Sequence, residues 1–257
     1  MSLILTVAAG VIAGPGGKQP TAGWQDDFSA NKVDKRRWVV ASGRAPGYIP
    51  NLHIGYYQPD RVSVAGGILT MRLTQEMGLV GTNASGVISR GALIHTKETY
   101  GYGTYEWRMR MSSTATSPLG GGMAESGSVS AGFIYVNNSQ TESDFEFSGN
   151  MPGTLYMVSW LNPDPASDPT IDNETWTSVE DLGITSNFRT YKFVWEPGKI
   201  SYYVGGILKA VHTTDVPSAP AHFMINHWGT DSGNWGGTAT VGIPRYFYVD
   251  WVRYTPQ

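Results

Sequence analysis

The sequence predicts an all-β protein built as two antiparallel sheets stacked face to face, and three observations predict it. The chain holds 32 glycines, is 12% aromatic and only 15% charged, as a many-turned sandwich requires, because each hairpin needs a tight turn and each sheet face needs broad side chains to pack. Segment after segment alternates apolar and polar residues with the period of two that a strand imposes. No stretch sustains the 3.6-residue apolar period of a helix.

At 257 residues the chain is long enough for one large core, and no linker divides residues 24–257, so these form a single domain. Residues 1–23 are an N-terminal extension: Leu3 to Ala13 is apolar and runs into Gly14-Pro15-Gly16-Gly17. That run lacks a basic leader and is too short to span a bilayer, so it is an added strand or a precursor remnant.

The domain opens at Trp24 to Phe28, followed by a short strand at Trp38 to Val40. Residues 41–60 have no period and form a long loop, of the kind that borders a site. Arg61 to Val64 and Ile68 to Leu73 make a hairpin about Gly66-Gly67. Gly86 to Thr96 and Thr104 to Met111 are longer strands; in the second, Tyr105, Trp107, Met109 and Met111 share a core side while Glu106, Arg108 and Arg110 share a polar side. A Ser/Gly/Thr-rich loop over 112–128 leads to a buried strand at Val129 to Val136. Leu155 to Trp160 is a strand, 162–187 a second long connection, and Phe188 to Trp195 with Ile200 to Val204 a hairpin. Ala221 to Trp228 and Tyr246 to Tyr254 close the chain.

The segment that carries chemistry is Glu142-Ser143-Asp144-Phe145-Glu146-Phe147. Alternation puts Glu142, Asp144 and Glu146 on one face and both phenylalanines on the other, so the strand packs on a core and its acids line a groove or open sheet face. Three crowded carboxylates repel, and at least one is driven to keep its proton near neutrality. By itself Glu-x-Asp-x-Glu also fits a solvated strand face or part of a calcium site.

A net charge of −3 supplies no basic field, which argues against nucleic acid and leaves a neutral partner. With no cysteine, disulfide frameworks and zinc-thiolate sites are excluded. None of the five histidines has a metal-ligand spacing, and no later segment could cross a membrane as a helix.

Several segments together resemble glycoside hydrolase family 16, most closely its lichenase branch, the endo-1,3-1,4-β-glucanases. Glu142 to Gly149 is similar to Glu-Ile-Asp-Ile-Glu-Phe-Leu-Gly of that branch, and Tyr100 to Met109 to its Gly-x-Tyr-Glu-x-Arg-Met strand. Phe188 to Gly198 with Ile200 to Gly206 resembles the family hairpin, and Asn226-His227-Trp228, Trp235-Gly236-Gly237 and Val249 to Val252 its closing segments. The matches fall in order over residues 24–254.

The resemblance implies a β-jelly-roll sandwich whose concave sheet forms a substrate cleft, and an endo-acting retaining β-glycoside hydrolase that needs no catalytic cofactor. It implies Glu142 as nucleophile, Glu146 as general acid/base and Asp144 between them. Glu142 and Glu146 are four strand residues apart, roughly 13 Å between Cα atoms, while retention needs carboxyl groups about 5 to 5.5 Å apart; side chains leaning together across a sugar can close much of that gap. Also implied are sugar contacts from Glu106, Arg108, Asn226, Trp228 and Trp235, with an exposed ion pair as the plainer role for the first two, and a structural calcium on Asp250 and a Gly67 carbonyl. His227 reads as structural.

Ser143 and Ser148 stand where lichenases carry aliphatic residues, Arg189 replaces a common His, and Arg61 replaces a common Asn. If it reaches the cleft, Arg61 favours a branched or acidic polymer. The compact acidic motif resembles those of lichenases and xyloglucan-active enzymes, and mixed-linkage 1,3-1,4-β-glucan is the expected substrate. Laminarin, xyloglucan or a galactan, transglycosylation, and a carbohydrate-binding protein without chemistry are the alternatives. A secreted or periplasmic location follows from a polymer substrate that cannot enter a cell, and a monomer is expected.

Overall fold

The computed structural model describes residues 22–164 and 173–257; the extra strand expected within 1–23 therefore lies outside the described residues. Among the described residues seventeen strands follow in chain order. They are β1 (Trp24–Asp26), β2 (Trp38–Val40), β3 (Gly43–Arg44), β4 (His53–Tyr57), β5 (Val62–Ala65), β6 (Ile68–Leu79), β7 (Ser85–Tyr100), β8 (Gly103–Ser113) and β9 (Ser128–Val136). Next come β10 (Thr141–Ser148), β11 (Thr154–Leu161), β12 (Asn173–Glu180), β13 (Arg189–Glu196), β14 (Lys199–Val204), β15 (Ile207–His212), β16 (Ala221–Gly229) and β17 (Arg245–Pro256). Among the described residues the only helical element is a 3₁₀ turn at Pro59–Arg61.

Pairing sorts these strands into a two-sheet jelly roll. One sheet runs β5-β6-β17-β8-β13-β14-β15, with β1 against the far end of β17. The other runs β12-β11-β10-β9-β16-β7-β2. β6 and β7 are long enough to serve both: their outer ends pair from Thr74 with Arg90 to Leu79 with Ser85 and close one edge of the sandwich. Gly91 sits where β7 changes partners, and a Cβ there would meet the His227 carbonyl oxygen at 2.1 Å, so only glycine permits that approach. The β5–β6 hairpin turns at Gly66 and Gly67 with φ of 58° and 74°, the left-handed pair that a two-residue turn needs.

Alternation fills the interior. Tyr105, Trp107, Met109 and Met111 of β8 are fully buried, as are Phe145 and Phe147 of β10. Trp107 packs 4.4 Å, ring centre to ring centre, from Phe223 and 6.2 Å from Phe145, tying the sheets together through aromatic contacts. His227 bridges the sheets as well: its ring nitrogens lie 2.9 Å from the Met71 carbonyl and 2.8 Å from Ser112 Oγ.

Two expected loops contain strands. The 41–60 stretch holds β3 and β4, and β4 pairs in parallel with β7. The 162–187 connection holds β12, an edge strand with alternating exposure paired to β11.

Candidate active site

The site is built on β10, whose parity the interior fixes. With Phe145 and Phe147 held inside, Glu142, Asp144 and Glu146 must project from the opposite face of the same strand. Their neighbours follow from register: Glu142 lies between Tyr135 and Trp160, Asp144 between Phe133 and Val158, and Glu146 between Ala131 and Tyr156. The three acids are only 2%, 4% and 6% exposed, so they form the floor of a recess. Its walls are a second apolar cluster that includes Tyr57, Met224, Trp228 and Trp235.

Serines adjoining the acids hold this face in place. Ser143 Oγ pairs with Tyr202 OH at 2.9 Å on the interior side. Ser148 Oγ accepts a 3.0 Å hydrogen bond from the Gly236 backbone N–H, which pins the Trp235 loop to the end of the acidic strand. Trp235 then meets Tyr156 edge-on at 4.8 Å.

Burial and crowding act on the acids together. Asp144 is pushed well above the usual carboxylate range by burial first, then by the charges of Glu142 and Glu146, while the Trp160 side chain pulls it back. Burial pushes Glu146 up to about 8. The Trp235 indole lies near enough to oppose this, although its N–H makes no hydrogen bond of ordinary geometry. Glu142 accepts a 2.5 Å hydrogen bond from Ser139 Oγ. The Tyr57 hydroxyl is raised by burial and further by the nearby Glu146 charge.

Asn226, Trp228 and Trp235 all lie on the recess. Asn226 Nδ2 donates to Tyr57 OH at 3.5 Å, while its Oδ1 and both indole N–H groups are buried without a partner. A buried unmet polar group costs about 1–3 kcal/mol, and the Asn226 Oδ1 and the Trp228 N–H both stand so on this surface.

Three expectations need correction. Glu106 and Arg108 belong to β8 in the opposite sheet and face outward: Glu106 pairs with Arg253 at 2.6 Å, and Arg108 pairs with Asp250. Parity gave their shared side correctly, but that side is not the recess. Arg61 ends the 3₁₀ turn before β5, also in the opposite sheet, and pairs with Asp60 at 3.6 Å. Asp250 meets the Arg108 guanidinium, and the Gly67 N–H donates to Asn31 Oδ1 at 3.2 Å. Neither contact involves the Gly67 carbonyl, the atom expected to hold calcium beside Asp250. Among the described residues no group of three or more His, Cys, Asp or Glu gathers for a metal.

Tyr57, Phe133, Tyr135, Tyr156 and Trp160 were not singled out from sequence. The last four alternate along strands read as strands, so parity relative to β10 could have found them. Tyr57 lies in an aperiodic stretch with no such signal.

The fold and site are thus those of a two-sheet jelly roll that carries three carboxylates of one strand on the floor of an aromatic-walled recess. The chain belongs to glycosyl hydrolases family 16, whose family model matches residues 53–253. It is 33% identical over 163 residues to a β-glucanase of Paenibacillus polymyxa, 61% of this chain and 60% of that protein. Over 241 residues it is 29% identical to the endo-1,3-1,4-β-glycanase ExoK of Rhizobium meliloti, 90% of this chain and 78% of that protein. The chain thus spans about 60% of the length of the first β-glucanases it matches. Among solved structures, the Bacillus licheniformis β-glucanase superposes with a TM-score of 0.71 at 25% identity, covering 93% of this chain and all of that one. A lichenase from a mouse hindgut metagenome shares the fold with a TM-score of 0.72 at 23% identity, covering 92% and 100%.

Proposed function

We propose that this protein is an endo-acting, retaining β-glycoside hydrolase that cleaves mixed-linkage 1,3-1,4-β-glucan. One observation carries the reading: three carboxylates share a buried floor on which Glu146 titrates near 8, so it holds a proton at neutral pH beside a second carboxylate able to carry charge. In the first step Glu142 attacks the anomeric carbon while Glu146 gives its proton to the departing glycosidic oxygen. The glycosidic C–O bond breaks and a glycosyl ester to Glu142 forms. Glu146, now ionised, then takes a proton from water, which attacks the same carbon, releases Glu142 and leaves the configuration unchanged.

Asp144 keeps its own proton, which limits the charge on the floor and makes the ionised nucleophile tolerable beside it. Trp228 and Trp235 offer indole faces on which the flat C–H surfaces of pyranose rings stack. The substrate rests on the similarity to β-glucanases and on the compact spacing of the acids. Such a polymer is met outside the cytoplasm, so the protein acts in a secreted or periplasmic setting.

The test is a reducing-sugar assay on barley β-glucan, laminarin, xyloglucan, agar and carrageenan, with the anomer of the first product followed by proton NMR. Rapid shortening of barley glucan with β-configured new ends is expected. Activity confined to agar or carrageenan, or an α-configured first product, would overturn the proposal.

A further inference from the structure

A buried amide on β6 grips the loop that carries Trp235. Leu69, Met71 and Leu73 enter the core, and the strand's period of two sends Gln75 to the same side. At that level β6 has left β17 and pairs with the outer end of β7, with Gln75 opposite Ser89. The inward row thus ends on a polar side chain only 2% exposed. A buried primary amide must find partners for two donors and for two lone pairs on its oxygen.

Gln75 finds all four. Its Nε2 donates to the Thr230 carbonyl and to Ser89 Oγ, each at 2.9 Å. Its Oε1 accepts from the Thr240 N–H at 3.1 Å and from the Arg245 guanidinium. A backbone carbonyl only accepts and a backbone N–H only donates, so the amide has one orientation. The Gln75 main-chain carbonyl also accepts from the Gly242 N–H at 3.0 Å. Arg245, itself fully buried, donates to the Thr240 and Ile243 carbonyls at 2.7 and 2.5 Å, which fixes the same strand end a second time.

Thr230 and Thr240 are the two ends of the loop, and Trp235 lies at its midpoint, so one side chain closes the neck. Compact loops with ends drawn together in this way often carry function. Beside Trp235 the loop is held by the Gly236 N–H on Ser148 Oγ and by the Gly127 N–H on the Gly236 carbonyl at 2.7 Å. Contacts at the tip fix the loop against the acidic strand; Gln75 fixes the base from which it springs.

We infer that Gln75 is a positioning residue: by closing the neck of the Trp235 loop, it sets where that indole stands over the acidic floor and the bound sugar. The inference rests on the glucan-hydrolase reading and adds to it a residue that acts only through another.

The test is a double-mutant cycle with kcat and KM on barley glucan as readout. Gln75→Met keeps the length and loses all four side-chain bonds; Gln75→Glu keeps the two accepted bonds and loses the two donated ones. Each is made in the wild type and in Trp235→Ala, with thermal melting to check folding. Gln75→Met should lower kcat/KM about tenfold in the wild type and less than twofold in Trp235→Ala, with Gln75→Glu between. Equal losses in both backgrounds would make Gln75 merely structural and overturn the inference, as would no loss in either. If Gln75→Met fails to melt cooperatively, Gln75→Glu decides by the same comparison. Hydrogen exchange of peptides covering residues 229–244 gives a readout independent of catalysis: it should quicken in both Gln75 variants, and unchanged exchange would also overturn the inference. If exchange quickens but the wild type cuts no barley glucan, the glucan reading falls, and the positioning role falls with it.

Discussion

Ser139 Oγ donates a 2.5 Å hydrogen bond to Glu142 Oε2 from a turn in which Asn137, Asn138 and Ser139 have φ of 45°, 48° and 61°. Left-handed backbone is unfavourable for L-residues, less so for Asn than for Ser, so this turn bears a local cost while aiming a hydroxyl at the proposed nucleophile. Ser139→Ala and Ser139→Gly should each lower kcat on barley glucan about tenfold, since both lose the hydrogen bond. They should differ in stability, with Gly above Ala by about 0.5–1 kcal/mol in urea unfolding. Full activity in either variant would remove Ser139 from the mechanism.

The raised pKa of Glu146 predicts both an activity profile and a stability profile. A general acid titrating near 8 is protonated below that pH, so kcat/KM should fall about tenfold per pH unit above it. For stability, the unfolded carboxyl titrates near 4.5 and the folded one near 8, so between those values the native state binds more protons than the unfolded chain. The contribution of Glu146 is thus fully present below about 4.5 and lost as pH rises through 8. Glu146→Gln cannot ionise and should be more stable than wild type by about 1–3 kcal/mol at pH 8 and equal to it near pH 4. Denaturant midpoints at the two pH values decide this; a pH-independent difference would contradict the burial argument.

The acidic face was legible because a strand has a period of two and Phe145 and Phe147 declared which side was interior. The same parity grouped Glu106 with Arg108 on one side of β8. Parity is blind to which of two stacked sheets a strand joins, and β8 joins the sheet opposite the acids. β4 was read as loop because four of its five residues are buried, His53, Ile54, Gly55 and Tyr57, and a strand covered on both faces loses its alternation. The grip of Gln75 on the Trp235 loop left no local trace either, since its partners Thr230 and Thr240 lie far along the chain.

The relocation of Glu106 and Arg108 has a direct consequence. Glu106–Arg253 and Arg108–Asp250 are cross-strand ion pairs on the outer face of the opposite sheet; the Arg253, Arg108 and Asp250 side chains are between 31% and 45% exposed, while that of Glu106 is 10% exposed. Pairs open to solvent contribute about 0–1 kcal/mol. Glu106→Gln and Arg108→Ala should leave kcat/KM on barley glucan within about twofold, and Arg108→Ala, in the more exposed pair, should cost less than about 1 kcal/mol. A tenfold rise in KM in either would return them to the substrate path.

The separate roles of Glu142 and Glu146 are testable by the stereochemistry of rescue. Either Ala variant should lose at least about three orders of magnitude in kcat on barley glucan, so loss alone does not tell them apart. An aryl β-glycoside with a good leaving group needs little acid assistance, and azide is small enough to enter the space left by a truncated side chain. In Glu142→Ala, azide would take the place of the carboxylate and attack once, giving the inverted α-glycosyl azide. In Glu146→Ala, the glycosyl ester to Glu142 still forms, and azide then replaces water in the second displacement to give the retained β-glycosyl azide. Proton NMR of the two products separates the assignments. Products of the opposite configurations would exchange the two roles, and the absence of rescue in both variants would deny that these carboxylates act at the anomeric carbon.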